Sequence, residues 1–155
     1  EAGIGILKQQ ATLKVWAAIN PYNHIELTDF NVYFVEPLKI NTELTERLHE
    51  KAYLNAYTYY KTGKYKSAIV AFKNALKQYP ESKRREEIMY LIVDSGYRLA
   101  SNSISEKQTD RYLSMLDSYL SFKEEFPEST HIKSLDRMAQ QARDYLDRNN
   151  KDNNI

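Results

Sequence analysis

The sequence predicts an all-α protein, a solenoid of antiparallel helix pairs closed by a C-terminal capping helix. Three observations predict it. A helix–turn–helix unit spans His49 to Pro80. Its second half, Gly63-Lys64-Tyr65-Lys66-Ser67-Ala68-Ile69 with Phe72, Ala75 and Tyr79-Pro80-Glu81-Ser82, is echoed by Arg111-Tyr112-Leu113-Ser114-Met115-Leu116 with Tyr119, Phe122 and Phe126-Pro127-Glu128-Ser129. A last segment then places Ile132, Leu135, Met138, Ala139, Ala142, Tyr145 and Leu146 at spacings of three and four, the pattern of a helix with one apolar face. A unit that recurs buries its apolar face by stacking on its neighbours, and the end of the stack needs a helix whose outer face is polar.

From the N-terminus, Gln10 to Ile19 has the spacing of a short helix, with Val15, Trp16 and Ile19 on one side and Asn20-Pro21 closing it. A loop around Pro21, Asn23 and His24 comes next. Ile25 to Val35, with its apolar run Asn31-Val32-Tyr33-Phe34-Val35, is compatible with a strand or a buried helix. Glu36-Pro37 is expected to break it. Residues 1–44 carry no repeat signature and read as an irregular arm or a remnant of preceding units. Asn41 or Thr42 can cap the next helix, which is expected to run through Leu44 and Leu48 to about Thr62.

The first clear unit, about 49–82, fits the register of a 34-residue tetratricopeptide repeat. With Pro80 at its end, Ala56, Tyr59, Gly63, Tyr65, Ala68, Phe72 and Ala75 all occupy signature positions. Small residues at 56, 68 and 75 let two helices approach closely, and Tyr59 and Phe72 fill the groove between them. Gly63 tolerates the positive φ of a tight interhelical turn. Pro80 lacks an amide hydrogen and disfavours helical dihedrals at Tyr79, so the helix stops there. The following helices are expected at 65–78, 84–100 and 110–125. The second unit then occupies about 83–129, the cap about 130–147 after Ser129 or Thr130, and the repeat region 45–147. The polar, asparagine-rich 148–155 reads as a frayed tail.

First helices of the two units align at an offset of 37 (Tyr53 to Tyr90), second helices at 47 (Tyr65 to Tyr112). The surplus is assigned to a long loop at 101–110, either a tolerated insertion or a contact loop projecting from one edge. Two candidate partner-binding surfaces emerge. The first is the inward stripe Glu50, Tyr53, Tyr57, Tyr60 and Lys61, matched at the offset of 37 by Glu87, Tyr90, Asp94, Tyr97 and Arg98. Tyrosine anchors with charged ends suit recognition, although the rings also suit packing against neighbouring helices. The second is the C-terminal edge: Ser101, Asn102, Ser103, Ile104, Ser105, Glu106 and Arg111 with the final helix. Lys83-Arg84-Arg85 reads as a charged turn or as an electrostatic docking patch.

Composition narrows the function classes. Of 155 residues, 42% are hydrophobic and 28% charged, with net charge +1. The chain can bury a core, and its charge gives no reason to expect nucleic acid as a partner. Residues 1–50 hold four bases against seven acids and the remainder eighteen against fourteen. Cysteine is absent, which removes disulfides, thiolate metal sites and thiol nucleophiles from this chain. No run has the length of a membrane span. Glu1 is not followed by a signal peptide's basic and apolar regions, consistent with a cytoplasmic chain or with a mature or truncated one. Thirteen tyrosines against one tryptophan supply many rings able to pack their bodies and present their hydroxyls. His24, His49 and His131 stand alone, with no His-Glu-x-x-His pair. No dinucleotide loop, phosphate loop or nucleophile elbow is present. Glu86/Glu87 and Glu124/Glu125 are adjacent and so splay apart on a helix. The expectation is a non-enzyme without metal or cofactor.

From Leu48 to about Leu146 the chain resembles the C-terminal half of the BamD (ComL) family, tetratricopeptide lipoproteins of the outer-membrane β-barrel assembly machinery. The resemblance lies in Lys51-Ala52-Tyr53, Tyr59-Tyr60-Lys61-Thr62-Gly63-Lys64-Tyr65 and Tyr79-Pro80-Glu81-Ser82-Lys83. It continues in Arg85-Glu86-Glu87-Ile88, Tyr97-Arg98-Leu99-Ala100, Asn102-Ser103-Ile104 and Phe126-Pro127-Glu128-Ser129. The long second-unit loop is similar to that of the family's Bacteroidota members. The family's lipidated N-terminal cysteine and N-terminal repeats have no counterpart in this sequence. The resemblance implies a non-catalytic scaffold at the periplasmic face of a Gram-negative outer membrane. It implies a lipid anchor not in this chain, docking on the periplasmic POTRA portion of a BamA-like barrel subunit, contacts with other assembly subunits, and unfolded outer-membrane proteins as further ligands. A tetratricopeptide adaptor of another system, a periplasmic coordinator or a cytoplasmic co-chaperone, is the alternative.

Overall fold

Among the residues described by a computed structural model, 36–152, five helices follow one another: α1 Glu36–Lys61, α2 Tyr65–Gln78, α3 Arg85–Ser101, α4 Ser105–Glu125 and α5 Ile132–Asp152. The described chain contains no strand, and the fold is the expected all-helical repeat stack. The helix expected at 10–19, the loop around His24 and the apolar run 31–35 lie outside the described residues. The chain divides into two compact units, Glu1–Leu44 and Thr45–Ile155. The helical repeats lie in the second.

α1 begins at Glu36 rather than at a cap on Asn41 or Thr42. Pro37 sits in its first turn, where its missing amide hydrogen has no intrahelical acceptor to lose; the 25–35 segment that it is expected to end lies outside the described residues. α1 and α2 are joined by Thr62-Gly63-Lys64, with Gly63 at φ 71°. In this left-handed turn the Lys64 amide donates to Tyr59 O at 2.9 Å and the Gly63 amide to Tyr60 O at 3.0 Å.

The turn of the second unit corrects the sequence reading. α3 and α4 are joined by only Asn102-Ser103-Ile104, as short as the first turn, so no long loop exists at 101–110. The surplus residues lengthen helices instead. α3 continues past Arg98, the equivalent of Lys61, to Ser101, and α4 has 21 residues against 14 in α2. The polar run Ser105 to Asp110 therefore forms the opening turns of α4, exposed to solvent on most sides.

The two aromatic-Pro-Glu-Ser motifs build the same turn twice. Tyr79 N–H donates to Ala75 O, and Phe126 N–H to Phe122 O, closing each helix before its proline. Ser82 N–H then donates to Tyr79 O, and Ser129 N–H to Phe126 O, both at 3.2 Å. The two serine hydroxyls accept from the amides of Arg84 and His131, two residues on, at 3.3 and 3.1 Å. Each motif thus stops one helix and satisfies free amides at the start of the next. The last helix continues to Asp152, through Arg148 to Asp152 that read as tail.

Two apolar clusters hold the stack. Tyr53 and Ala56 of α1, Ala68 and Phe72 of α2, and Ile88, Leu91 and Ile92 of α3 form the first. Met89, Val93 and Ala100 of α3, Tyr112, Met115, Tyr119 and Phe122 of α4, and Leu135, Ala139 and Ala142 of α5 form the second. α3 serves both and is buried over nearly its whole middle, 88–96, with only Tyr90 half-exposed. A Cβ at Gly96 would lie 3.2 Å from the Met115 side chain, so the glycine sets how closely α3 and α4 approach. Each fully buried Phe or Leu in these clusters contributes about 1.5–3 kcal/mol relative to exposure.

Candidate functional site

α1 and α3 lie side by side on the inner face, and the predicted stripe is where they meet. Residues 34 apart are joined across it. Tyr53 Oη donates to Glu87 Oε1 and Tyr60 Oη to Asp94 Oδ2, both at 2.7 Å. Arg84 clamps Glu50 with two N–H groups, at 2.6 and 3.0 Å, and donates a third to Glu87 at 2.8 Å. Its guanidinium also sits 4.4 Å from the centre of the Tyr53 ring, a cation–π geometry. Arg98 repeats this further along the face, with Nε 2.7 Å from Asp94 and the guanidinium 5.8 Å from the Tyr60 ring centre. Two Tyr–carboxylate–Arg clusters therefore lock α1 to α3.

The electrostatics follow from burial and pairing. Burial, then the hydrogen bond to Glu87, holds the Tyr53 hydroxyl neutral well above the usual tyrosine range; burial and Asp94 do the same for Tyr60. The hydrogen bonds to Glu50 and Glu87 push the Arg84 guanidinium further up, and the bond to Asp94 does so for Arg98. Asp94 is 1% exposed. Its partners take up both the charge and the lone pairs that burial would otherwise leave costly.

The stripe therefore divides. Tyr53, Tyr60, Glu50, Glu87, Asp94 and Arg98 spend their polar groups on one another and on Arg84, which is the packing reading of this face. Tyr57, Tyr90 and Tyr97 are half-buried and Lys61 is exposed. Tyr57 stacks between Tyr53 and Tyr60, with centroids at 5.5 and 5.8 Å, and Lys61 lies 5.7 Å over its ring. Tyr97 donates to Gln141 of α5 at 2.6 Å. Tyr90 stacks on His131 at 4.2 Å. Tyr57, Tyr90 and His131 border an open groove of about 600 Å³ whose other walls are Tyr60, Leu91 and four members of the charged run, Lys83, Arg84, Glu86 and Glu87. His131 carries no sequence signal, since its role depends on the turn that brings α5 back toward α3. The three cations 83–85 do not form a free patch: Lys83 pairs with Glu46, Arg84 with Glu50 and Glu87, and Arg85 with Glu125.

The C-terminal edge is a helix–turn–helix corner rather than a loop. Ser101 Oγ donates to Tyr97 O at 2.7 Å. Ser103 bonds Leu99 O and accepts from Arg111, so Arg111 braces the turn from α4. Gln108 donates to Ser101 O at 3.4 Å, and Asn149 of α5 donates to Thr109 at 3.0 Å. Asn102, Ser105 and Glu106 are exposed, and between them Ile104 holds 60% of its surface in solvent. A braced corner with an apolar residue at its tip can anchor a partner without reordering.

Among the described residues no group of three or more His, Asp or Glu is placed to hold a metal, and no helix is long and apolar enough to cross a membrane. Paired helices, a groove and a braced edge define a helical-repeat protein whose available surfaces suit binding. The chain belongs to the YfiO family of outer membrane lipoproteins, whose family model matches residues 43–151, the stretch that carries the BamD-type motifs. No curated protein matches it.

Proposed function

We propose that this protein is a non-catalytic scaffold of the outer-membrane β-barrel assembly machinery, held at the periplasmic face and docked on the POTRA region of a BamA-like subunit through its C-terminal edge. The observation that carries the proposal is the family match over 43–151, which takes in the repeat stack from within α1 to α5. The exposed Ile104 on a corner braced by Arg111 and Ser103 supports the choice of edge. A scaffold has no transition state to stabilise, so its work resides in a few anchor residues on rigid elements. The groove bordered by Tyr57, Tyr90 and His131 then serves an extended segment of an unfolded barrel protein or a further subunit.

Affinity purification of the tagged protein from membranes, followed by mass spectrometry, tests the reading. Recovery of a BamA-like barrel subunit is expected. Recovery of other periplasmic partners with no barrel-assembly component would overturn it in favour of a general adaptor.

A further inference from the structure

The outer faces of the two second helices carry opposite charge along equivalent stripes. On α2, Lys66, Val70, Lys73 and Lys77 follow one another at steps of four, three and four and so share one stripe. At the offset of 47 the same stripe on α4 reads Leu113, Asp117, Leu120 and Glu124. All eight side chains are exposed, with Val70 at 55%, Leu113 at 49% and Leu120 at 51%. α2 contains no acidic residue, and its three lysines form no ion pair among the described residues. Asp110 and Glu106 extend the acidic stripe of α4 toward its start. The stripes are neighbours, since Lys73 of α2 and Ser114 and Ser118 of α4 line one crevice.

We propose that this face pairs with a second copy of the chain, α2 of each copy lying on α4 of the other. A flat anionic lipid surface would be drawn to α2 but repelled by α4 beside it. A second copy meets both demands at once. A two-fold axis running along the helices brings each cationic stripe over an acidic one, so the two contacts are the same contact made twice. Steps of four and three on α2 match steps of three and four on α4. Such an axis keeps each residue at its own height, and the shared crevice sets Lys73 level with Ser114 and Ser118; this allows Lys66 over the partner's Asp110, Val70 against the partner's Leu113, and Lys73 over the partner's Asp117. Three half-exposed apolar side chains per copy leave the water, and the charges fix register. Two helix faces are a small interface, so the dimer is weak and sensitive to salt.

Sedimentation velocity of the purified chain over a range of concentrations tests the proposal. The expected result is a monomer–dimer equilibrium that weakens as salt is raised. An α2 variant, Lys66→Glu with Lys73→Glu and Lys77→Glu, and an α4 variant, Asp110→Lys with Asp117→Lys, should each weaken self-association at least tenfold. An equimolar mixture of the two should form a heterodimer, because each then presents what the other lacks. All five sites are exposed, and circular dichroism checks that helix content is unchanged. Leu113→Gln with Leu120→Gln gives a second route to the same loss without altering charge. A chain that stays monomeric at every concentration, or swapped variants that fail to pair when mixed, would overturn the proposal. Binding to anionic vesicles through the α2 lysines, with no dimer, would assign the stripe to lipid instead and overturn it equally.

Discussion

Removing the Asp94 carboxylate separates a structural role for the inner stripe from a recognition role. Asp94 is 1% exposed and accepts from Tyr60 Oη and Arg98 Nε, both at 2.7 Å. Its bond with a neutral hydroxyl is charge-assisted and contributes about 1.5–3 kcal/mol. The Arg98 pair is an i,i+4 contact whose cation keeps 48% of its side chain in solvent, and it contributes no more than about 0.5 kcal/mol. Replacing the carboxylate also relieves its desolvation, which offsets part of the loss. The net expectation for Asp94→Ala is about 2 kcal/mol of destabilisation, or roughly an 8 °C fall in Tm for a domain of this size. Tyr60→Phe combined with Asp94→Ala should cost less than the two single changes added together, with a coupling above about 1 kcal/mol. Urea unfolding followed by circular dichroism measures all four corners of the cycle. Partner binding by the folded variant should be unchanged. A variant as stable as the parent that no longer binds its partner would refute the reasoning and make Asp94 a recognition group.

Other perturbations probe the rest of the framework. Ala68 is fully buried in the α1–α2–α3 cluster, so Ala68→Leu should overpack it and cost about 1–3 kcal/mol in denaturant unfolding; an unchanged midpoint would contradict the packing. Gly63 has φ 71° but nothing within 4 Å of a Cβ position, so Gly63→Ala should cost about 1 kcal/mol from backbone strain alone, and Gly63→Asn less; equal midpoints for the two variants would contradict the strain argument. Stability should also fall at both ends of the pH range. The Arg85 hydrogen bond lowers Glu125, and the Tyr119 and Lys123 hydrogen bonds lower Asp136. Those contributions are present above the unfolded carboxylate values of about 4 and are lost as pH falls through the lowered folded values. Tyr53 and Tyr60 are raised, so their contribution is full below about 10 and lost as pH rises through the folded values. Denaturation midpoints measured across pH should form a plateau between; midpoints still climbing above about pH 10 would contradict the buried-hydroxyl account.

How far the fold is legible in the sequence depends on the kind of signal each feature leaves. α2 is readable to the residue because Gly63 and Pro80 bracket it and Ala68, Phe72 and Ala75 mark its buried face. The 101–110 stretch misleads because serine, asparagine and threonine resemble loop composition, whereas Ser105 to Asp110 form helix turns exposed to water, where polarity is equally at home. Members of the inner stripe are visible through their repetition at 37. Their bonding is not, because repetition aligns equivalent positions while Tyr53–Glu87 and Tyr60–Asp94 join a helix to its neighbour at 34. Tyr90–His131 leaves no pattern, depending wholly on how the 126–131 turn delivers α5.

The most direct test of the scaffold account is the affinity of the purified protein for the isolated periplasmic POTRA segment of the barrel subunit, compared between the parent, Ile104→Asp, and Tyr57→Ala with Tyr90→Ala. The account predicts binding by the parent, a loss of more than tenfold, about 1.4 kcal/mol, for Ile104→Asp with helix content unchanged, and parent-like binding for the tyrosine variant. Undiminished binding by Ile104→Asp together with loss in the tyrosine variant would contradict it and move the docking site into the groove.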